Sequence, residues 1–344
     1  MKKVRIKRKK WLDRRSKKIA INYNKHFIKS KTKVKNSKFT TYYNNTIKKY
    51  EFFTPQNFSF INNPNETILF FNKIFDFILK KTRKSRDIFI NTNRTDKLTI
   101  DAIMFLIAII NNINFNIKQN LNFSGNEPLC KEAKNEFKES GFYKYVKRII
   151  DAPIDRNENN IQIVSGRVCD VKLAQRISDF IQNKTNVQLS KLRFIYVMMI
   201  ELMSNTHKHA YNNSDNVLNS RWFCFVKFIK DGKFSFSFLD TGLGIPTTIR
   251  KNFLERINIL GLKTDNDYLC SVLNGDFRTS TNKEYRGKGI PKIREFSKNN
   301  KIQKLHIISN NADILVISNE YKREDILNKL KGTLYYWEID INNI

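Results

Sequence analysis

Cysteine is scarce in this chain of 344 residues. The four present, Cys130, Cys169, Cys224 and Cys270, are far apart and form no CxxC pair. That spacing argues against zinc and suggests no disulfide framework, so reduced, mostly buried thiols are expected. Long hydrophobic runs are also missing. The nearest, TIDAIMFLIAIINNI, falls short of the about 18 apolar residues that mark a membrane span. The opening MKKVRIKRKKWLDRRSKK is basic and lacks an apolar run of signal-peptide length. No internal repeat is visible. Acids are few, 32 Asp and Glu against 63 Lys and Arg, which leaves a net charge of +31. These absences point to a reduced, cytoplasmic protein with no transmembrane segment.

Apolar residues make up 40% of the chain and aromatics 12%, with 27 Phe, enough for a real core and against wholesale disorder. The length suits two domains and a tail. Abundant Asn, Lys and Ile are compatible with a base-composition bias in the coding DNA, so part of the charge is discounted. The charge is uneven even so: residues 1–50 carry 19 Lys and Arg against one acid, Asp13. Periodicity there is poor, and the stretch reads as a basic arm, partly helical or disordered. Such an arm can neutralise nucleic-acid phosphates, and the interleaved Trp11, Tyr23, Phe27, Tyr42 and Tyr43 can stack on single strands. A solvated, composition-biased tail reads equally from the same residues.

Beyond the arm, residues 51–150 read as a small α/β domain. NETILFFNKIFDFILKKTRK carries a helical apolar stripe, RDIFINTN is a short strand, TIDAIMFLIAIINNI a helix buried on most sides, FNIKQNL a further strand, and EPLCKEAKNEFKESGFYKYV a helix closing at Gly141. The polar, proline-bearing DAPIDRNENNIQ marks a boundary, and 151–344 forms a second domain. Two helices are expected near 170–184 and 189–211. Next come the strands RWFCFVKFIKDG and KFSFSFLDTG, joined by an Asp231-Gly232 hairpin turn. In the second strand Phe234, Phe236 and Phe238 alternate with Ser235 and Ser237. An irregular stretch spans about 261–286. A helix near 290–299 and the strands KLHIISN, ADILVIS and GTLYYWEID complete the chain.

Three segments carry chemistry. In ELMSNTHKHAY, Glu201, Asn205 and His209 share one helical face, with Lys208 between them. A carboxylate, a neutral amide oxygen suited to magnesium and a point charge for phosphate would thus converge; alone, the segment reads as well as a polar helix face. In LDTGLGIP the strand ends in Asp240, an acceptor-only carboxylate able to take adenine's exocyclic amine. Gly242 and Gly244 follow, where small side chains and positive φ would let backbone approach a base. In YRGKGIPKIREFSK a glycine turn runs into a helix whose free N–H groups suit an anion, with Arg286 and Lys288 adding charge. The bland readings of these two are a strand-end turn and a loop–helix junction.

Taken in order, the three segments resemble the GHKL ATPase fold of gyrase-type ATPases, heat-shock chaperones, histidine kinase catalytic domains and anti-sigma factor serine kinases. The resemblance covers about 165–340 and is closest to the anti-sigma factor kinase and stand-alone ATPase branch. It implies an α+β sandwich of helices layered on a mixed sheet, binding ATP and Mg2+. Asn205 would ligate magnesium, Glu201 act as general base, Lys208 reach phosphate with His209 beside it, and Asp240 read adenine. Gly242 and Gly244 would floor the adenine pocket. The stretch 261–286 would be a mobile lid in which Ser280 or Thr281 contacts phosphate, closed by Arg286, Gly287, Lys288 and Gly289. In GTLYYWEID, Thr333 of the Gly332–Thr333 pair would support the Asp240–adenine contact.

The sequence departs from that family in a short glycine box, R-G-K-G-I, and in having no phosphoacceptor histidine segment: His26, His207, His209 and His306 lie elsewhere. RDIFINTNRTDKLTIDAIMFLIAIIN resembles the centre of a STAS domain, though no Ser stands at the usual phosphoacceptor site; Thr95, Thr99 and Asp101 are nearby. The combined expectation is an ATP-binding regulatory protein of the signalling type, a slow ATPase or a Ser/Thr protein kinase. Its partners would be a regulatory protein, a second copy of the chain or, through residues 1–50, nucleic acid. An ATP-gated nucleic-acid factor is the alternative.

Overall fold

The computed structural model describes residues 42–44, 49–79, 86–113, 121–146, 158–209, 218–277, 289–317 and 320–344. Most of the basic arm, the strand read at FNIKQNL up to Asn120, and the second half of the expected lid lie outside these residues. Thr41–Ile344 form one compact unit.

The first layer is α/β. Strands β1 (Tyr42–Asn44), β2 (Lys49–Phe53), β4 (Arg86–Asn91) and β6 (Leu121–Gly125) form a sheet in the order β1-β2-β4-β6. β2, β4 and β6 are parallel, and β1 pairs antiparallel at the edge. A minor pair joins β3 (Asn57–Phe58) to β5 (Lys97–Leu98). Parallel neighbours need crossover connections; α1 (Pro64–Leu79) and α2 (Ile100–Asn111) supply them. α3 (Lys131–Ser140) and α4 (Tyr143–Val146) follow. Every residue of α2 from Ile100 to Ile109 is buried. A helix apolar on all sides has to be covered on all sides, and α2 is.

The cover comes partly from the second layer. Strands β7 (Asn160–Gly166), β8 (Trp222–Lys230), β9 (Lys233–Asp240), β10 (Gln303–Ile317) and β11 (Glu320–Asp340) form a sheet in the order β10-β11-β9-β8-β7. Strand alternation gives it two apolar faces. Phe223, Phe225, Leu239, Ile308, Leu330 and Leu334 join one core with α1, α2 and the first sheet. Trp222, Cys224, Phe234, Phe236, Phe238, Tyr335 and Trp337 lie in the other, beneath α5 (Val171–Thr185), α6 (Leu189–His209), α9 (Asp265–Asn274) and α10 (Gly289–Lys298). α7 (Ile245–Asn252) and α8 (Leu254–Leu260) pack with α9 around Ile249, Ile257, Tyr268 and Phe277.

Polar joints lock the two layers. Asn112, which caps α2, donates to the carbonyl of Asn219 and the hydroxyl of Thr241. Lys227 of β8 sits between Glu139, at 2.8 Å, and Glu136, at 3.4 Å, on α3.

The α+β class is as expected, with differences of detail. The larger sheet was expected to be mixed; every described pairing in it is antiparallel. The cause is local. β8 and β9 are joined by the Asp231-Gly232 turn, both residues at positive φ, and β11 returns directly along β10. KLHIISN and ADILVIS are not two strands but one, β10, bent by bulges around Asn310. The final strand begins at Glu320, before GTLYYWEID. The stretch from 261, expected to be irregular, contains α9, fixed by a Thr264–Asp267 capping box. Asp265 and Asn266 of that helix accept from the edge N–H groups of Asn311 and Asp313, which closes that part of the β10 edge. β7 was not foreseen, because its flank is polar.

Because α2 shares one core with both sheets, residues 41–344 should unfold in a single denaturant transition. Ile107→Ala, at a fully buried site, should lower stability by about 2–5 kcal/mol without splitting that transition. Two separated transitions in urea, followed by fluorescence and circular dichroism, would disprove the shared core.

Candidate functional site

α6 places Glu201 and Asn205 one turn apart, both half-buried, beside the buried Leu202, Met203 and Thr206. The first residue of α10, Gly289, lies against them. A side chain on Gly289 would collide with the Glu201 carboxylate and come within 3.4 Å of the Asn205 amide nitrogen. That nitrogen is buried and makes no hydrogen bond. Buried amides are ordinarily satisfied, and among the described residues the Asn205 nitrogen is one of several buried polar atoms that are not, Asn160 being another. Amide O and N are assigned from such partners, and a half-turn would present the oxygen instead.

A second cluster of the expected residues is at the end of β9. Asp240 pairs across the ladder with Thr333 of β11 on one side and Trp222 of β8 on the other. Burial pushes its carboxyl up to about 6, although the Gly242 N–H, which donates to Oδ1 at 2.9 Å, and the Thr333 hydroxyl both pull it down. Gly332, at φ +117°, presses on the Asp240 carbonyl so closely that a Cβ there would overlap it.

Two residues that the sequence reading missed hold this corner. Ser309 and Asn310, both fully buried, sit at the bulge of β10. The Asn310 side chain uses all its hydrogen-bonding capacity. It donates to the carbonyls of Leu243 (2.9 Å) and Leu330 (3.1 Å), and accepts from the Thr247 N–H (2.9 Å) and hydroxyl (2.7 Å). The turn after Asp240 is thereby fastened to β10 and β11. Ser309 accepts from the Ile245 N–H at 2.9 Å and meets the Thr333 hydroxyl at 2.9 Å. A signal was there: the polar Ser309-Asn310-Asn311 interrupts an apolar strand, and only the break was read from it.

Gly244 caps α7 at φ +82° against the Asn310 side chain, as its expected positive φ requires. Gly242 is not among the positive-φ residues, so its expected use of that freedom is corrected: its part here is to donate its N–H to Asp240. The structure thus brings Glu201, Asn205 and Gly289 together, and separately Asp240, Gly242, Gly332 and Thr333. Ser280, Thr281, Arg286, Gly287 and Lys288 lie outside the described residues, as do the side chains of Lys208 and His209. In the first layer, Thr95 is buried and bonded to the Thr54 hydroxyl and Pro55 carbonyl. Asp101 is buried too and accepts from the N–H groups of Phe60 and Ile61. Both are committed to holding loops.

No family model and no curated protein matches this chain. Among solved structures it is similar to the histidine kinase domain from the Erythrobacter litoralis EL346 blue-light activated histidine kinase, at 12% identity and a TM-score of 0.23, over 50% of this chain. This chain spans 61% of that domain's length. Among the described residues no helix is long and apolar enough to cross a membrane, and no group of His, Cys, Asp and Glu side chains could hold a metal.

The raised carboxyl of Asp240 has a signed consequence for stability. The folded state holds this proton more tightly than the unfolded chain, so stability is full below about pH 4 and is lost as pH rises through about 6. Asp240→Asn should therefore be more stable than the wild type by about 1–2 kcal/mol near pH 8, and equal to it near pH 4. Denaturant melts at the two pH values would check this; a difference of the opposite sign would refute it.

Proposed function

We propose that this chain is an ATP-binding regulatory protein with a GHKL-type nucleotide site. The observation that carries the reading is convergence. Gly289 of the glycine box lies against both Glu201 and Asn205 of α6, and Gly332–Thr333 lies against Asp240. Segments far apart in sequence thus meet in the pairs that such a site requires. The unpartnered amide nitrogen of Asn205, against Gly289, supports the same reading.

Asp240 would accept the exocyclic amine of adenine, which a 6-keto purine cannot offer. Thr333 would hold that carboxylate in place. Asn205 would hold Mg2+ through its amide oxygen; magnesium prefers oxygen ligands and keeps several waters, so one protein ligand suffices. Magnesium would supply charge neutralisation at the phosphates. Lys208, His209, Arg286, Lys288 and the glycines from 287 to 289 would line the phosphates, with Ser280 or Thr281 in the lid. Glu201, beside Gly289, is the group to take a proton from water or from a protein hydroxyl. That makes the chemistry a slow hydrolysis or a Ser/Thr phosphotransfer. The first layer, a STAS-like module on this reading, is fastened through Asn112 to Thr241, one residue after Asp240. Nucleotide at Asp240 would so be felt by α2, which suits a signalling switch acting on a protein partner.

A second reading rests on charge: 19 basic residues against one acid in residues 1–50 suit nucleic-acid phosphates, with ATP gating the contact. Removing residues 1–40 should then abolish a salt-sensitive RNA or DNA affinity, and no binding at low salt ends that reading.

Isothermal titration with MgATP tests the first. Asp240→Asn should bind at least about tenfold more weakly than the wild type, from loss of a charge-assisted hydrogen bond; unchanged affinity would sink the adenine assignment. Glu201→Ala should keep ATP binding and lose turnover by about 100-fold or more. Retained turnover would remove Glu201 from the chemistry.

A further inference from the structure

Resting on the nucleotide reading above, we propose that the outer part of the β10–β11 hairpin is a bridge through which α1 of the first layer positions α9, the helix in the stretch read as the lid. Asn65 is the positioning residue at the first-layer end. The ladder between β10 and β11 is unequal there. Leu330 pairs with Asn310 and Asp325 with Ala312, so residues 326–329 of β11 stand against the single Asn311 of β10. β9 pairs with β11 only from Thr333 to Asp340. Residues 326–329 thus form a wide bulge with no ladder of their own, and their backbone groups need other partners.

α1 supplies partners from one side. The Asn65 side chain accepts from the Leu327 N–H at 2.9 Å, its carbonyl accepts from the Asn328 amide at 3.3 Å, and Asn72 donates to the Lys329 carbonyl at 3.2 Å. Ile326 and Leu330 anchor the same stretch in the core shared with α1. α9 holds the residues immediately before it. The Asn266 amide donates to the Glu324 carbonyl at 3.1 Å and to the Asp325 carboxylate at 2.7 Å. Asn311 closes the joint: its N–H donates to Asp265 of α9 at 3.0 Å, and its side chain to the Ile326 carbonyl at 2.8 Å.

The two helices therefore grip one stretch, 324–329, with α9 at its start and α1 at its end. A shift of α1 moves Leu327 and Lys329, and with them the carbonyl and carboxylate that Asn266 holds. The Arg250–Asp265 ion pair, at 2.7 Å, holds α9 independently, so the bridge adjusts that helix and does not support it alone. Asn65 is half-buried, and its side chain can be changed without opening a core. The first layer reaches the nucleotide site by this route as well as through Asn112 and Thr241. A protein docked on the first layer would act on α9 along it.

The test is amide hydrogen exchange of the full-length protein, read by mass spectrometry. Without nucleotide, Asn65→Ala should quicken exchange by about three- to tenfold in 324–329 and also in α9, as loss of one net hydrogen bond implies. Asn65→Asp keeps the acceptor for the Leu327 N–H and should match the wild type in α9. A double-mutant cycle gives a second readout. Exchange in α9 of Asn65→Ala combined with Asn266→Ala should be no faster than in Asn266→Ala alone, because the bridge is already cut. If Asn266→Ala does not fold, the Asn65 pair decides. Quickening confined to α1 and 324–329, or effects on α9 that simply add, would overturn the proposal. MgATP is a separate arm and should slow exchange in α9 of the wild type. If it changes exchange nowhere, the nucleotide reading falls, while the bridge stands or falls on the exchange measured without it.

Discussion

A carboxylate at the end of a buried strand has to be hydrogen-bonded, and much of this molecule is arranged around meeting that demand at Asp240. Ladder pairing with β11 brings Thr333 beside it. The αL bulge of β10 at Asn310 brings Ser309 behind Thr333, and the same asparagine ties down the turn that follows Asp240. Each of these residues would be costly alone in an apolar core. Linked, Ser309 and Thr333 satisfy each other, and Asn310 satisfies the turn beside them. Strand pairing and a bulge, not loops, position these residues.

The all-apolar helix α2 is the second constraint. It cannot stand at a surface, so the α/β layer and the antiparallel sheet share its burial. Two layers that composition and boundary signals separate are thereby fused into one core. The same packing puts Asn112, at the end of α2, on the hydroxyl of Thr241. Any reading that makes the first layer a sensor or a docking module therefore has a short physical link to work with, through two side chains rather than a long relay.

Legibility differed by element for physical reasons. The alternation of Phe234, Phe236 and Phe238 predicted a half-buried strand, and the Asp-Gly pair predicted its hairpin, because both signals are local. α5, α6 and α10 were readable from periodicity. α9 was missed because its apolar stripe is short and its ends are fixed by a capping box and by contacts to the β10 edge. β7 was missed because its hydrogen bonds, not its flanking residues, make it a strand. Ser309 and Asn310 were invisible as site residues: a polar triplet in a strand looks like a break until the partner strands are known.

The order of ELMSN, DTGLG, RGKGI and GT along the chain, and the residue types within them, belong to the sequence alone; so do the charge imbalance and the apolar character of α2. Tertiary structure decided which of these meet. It set Gly289 against Glu201 and Asn205, left the Asn205 amide without a partner, and placed Gly332 where only glycine fits against Asp240. It also decided that a serine far from any motif meets the Thr333 hydroxyl. Residue types and spacings are properties of the chain, whereas hydrogen-bond direction and close approach depend on which strands lie side by side, and that is settled only when the whole core packs.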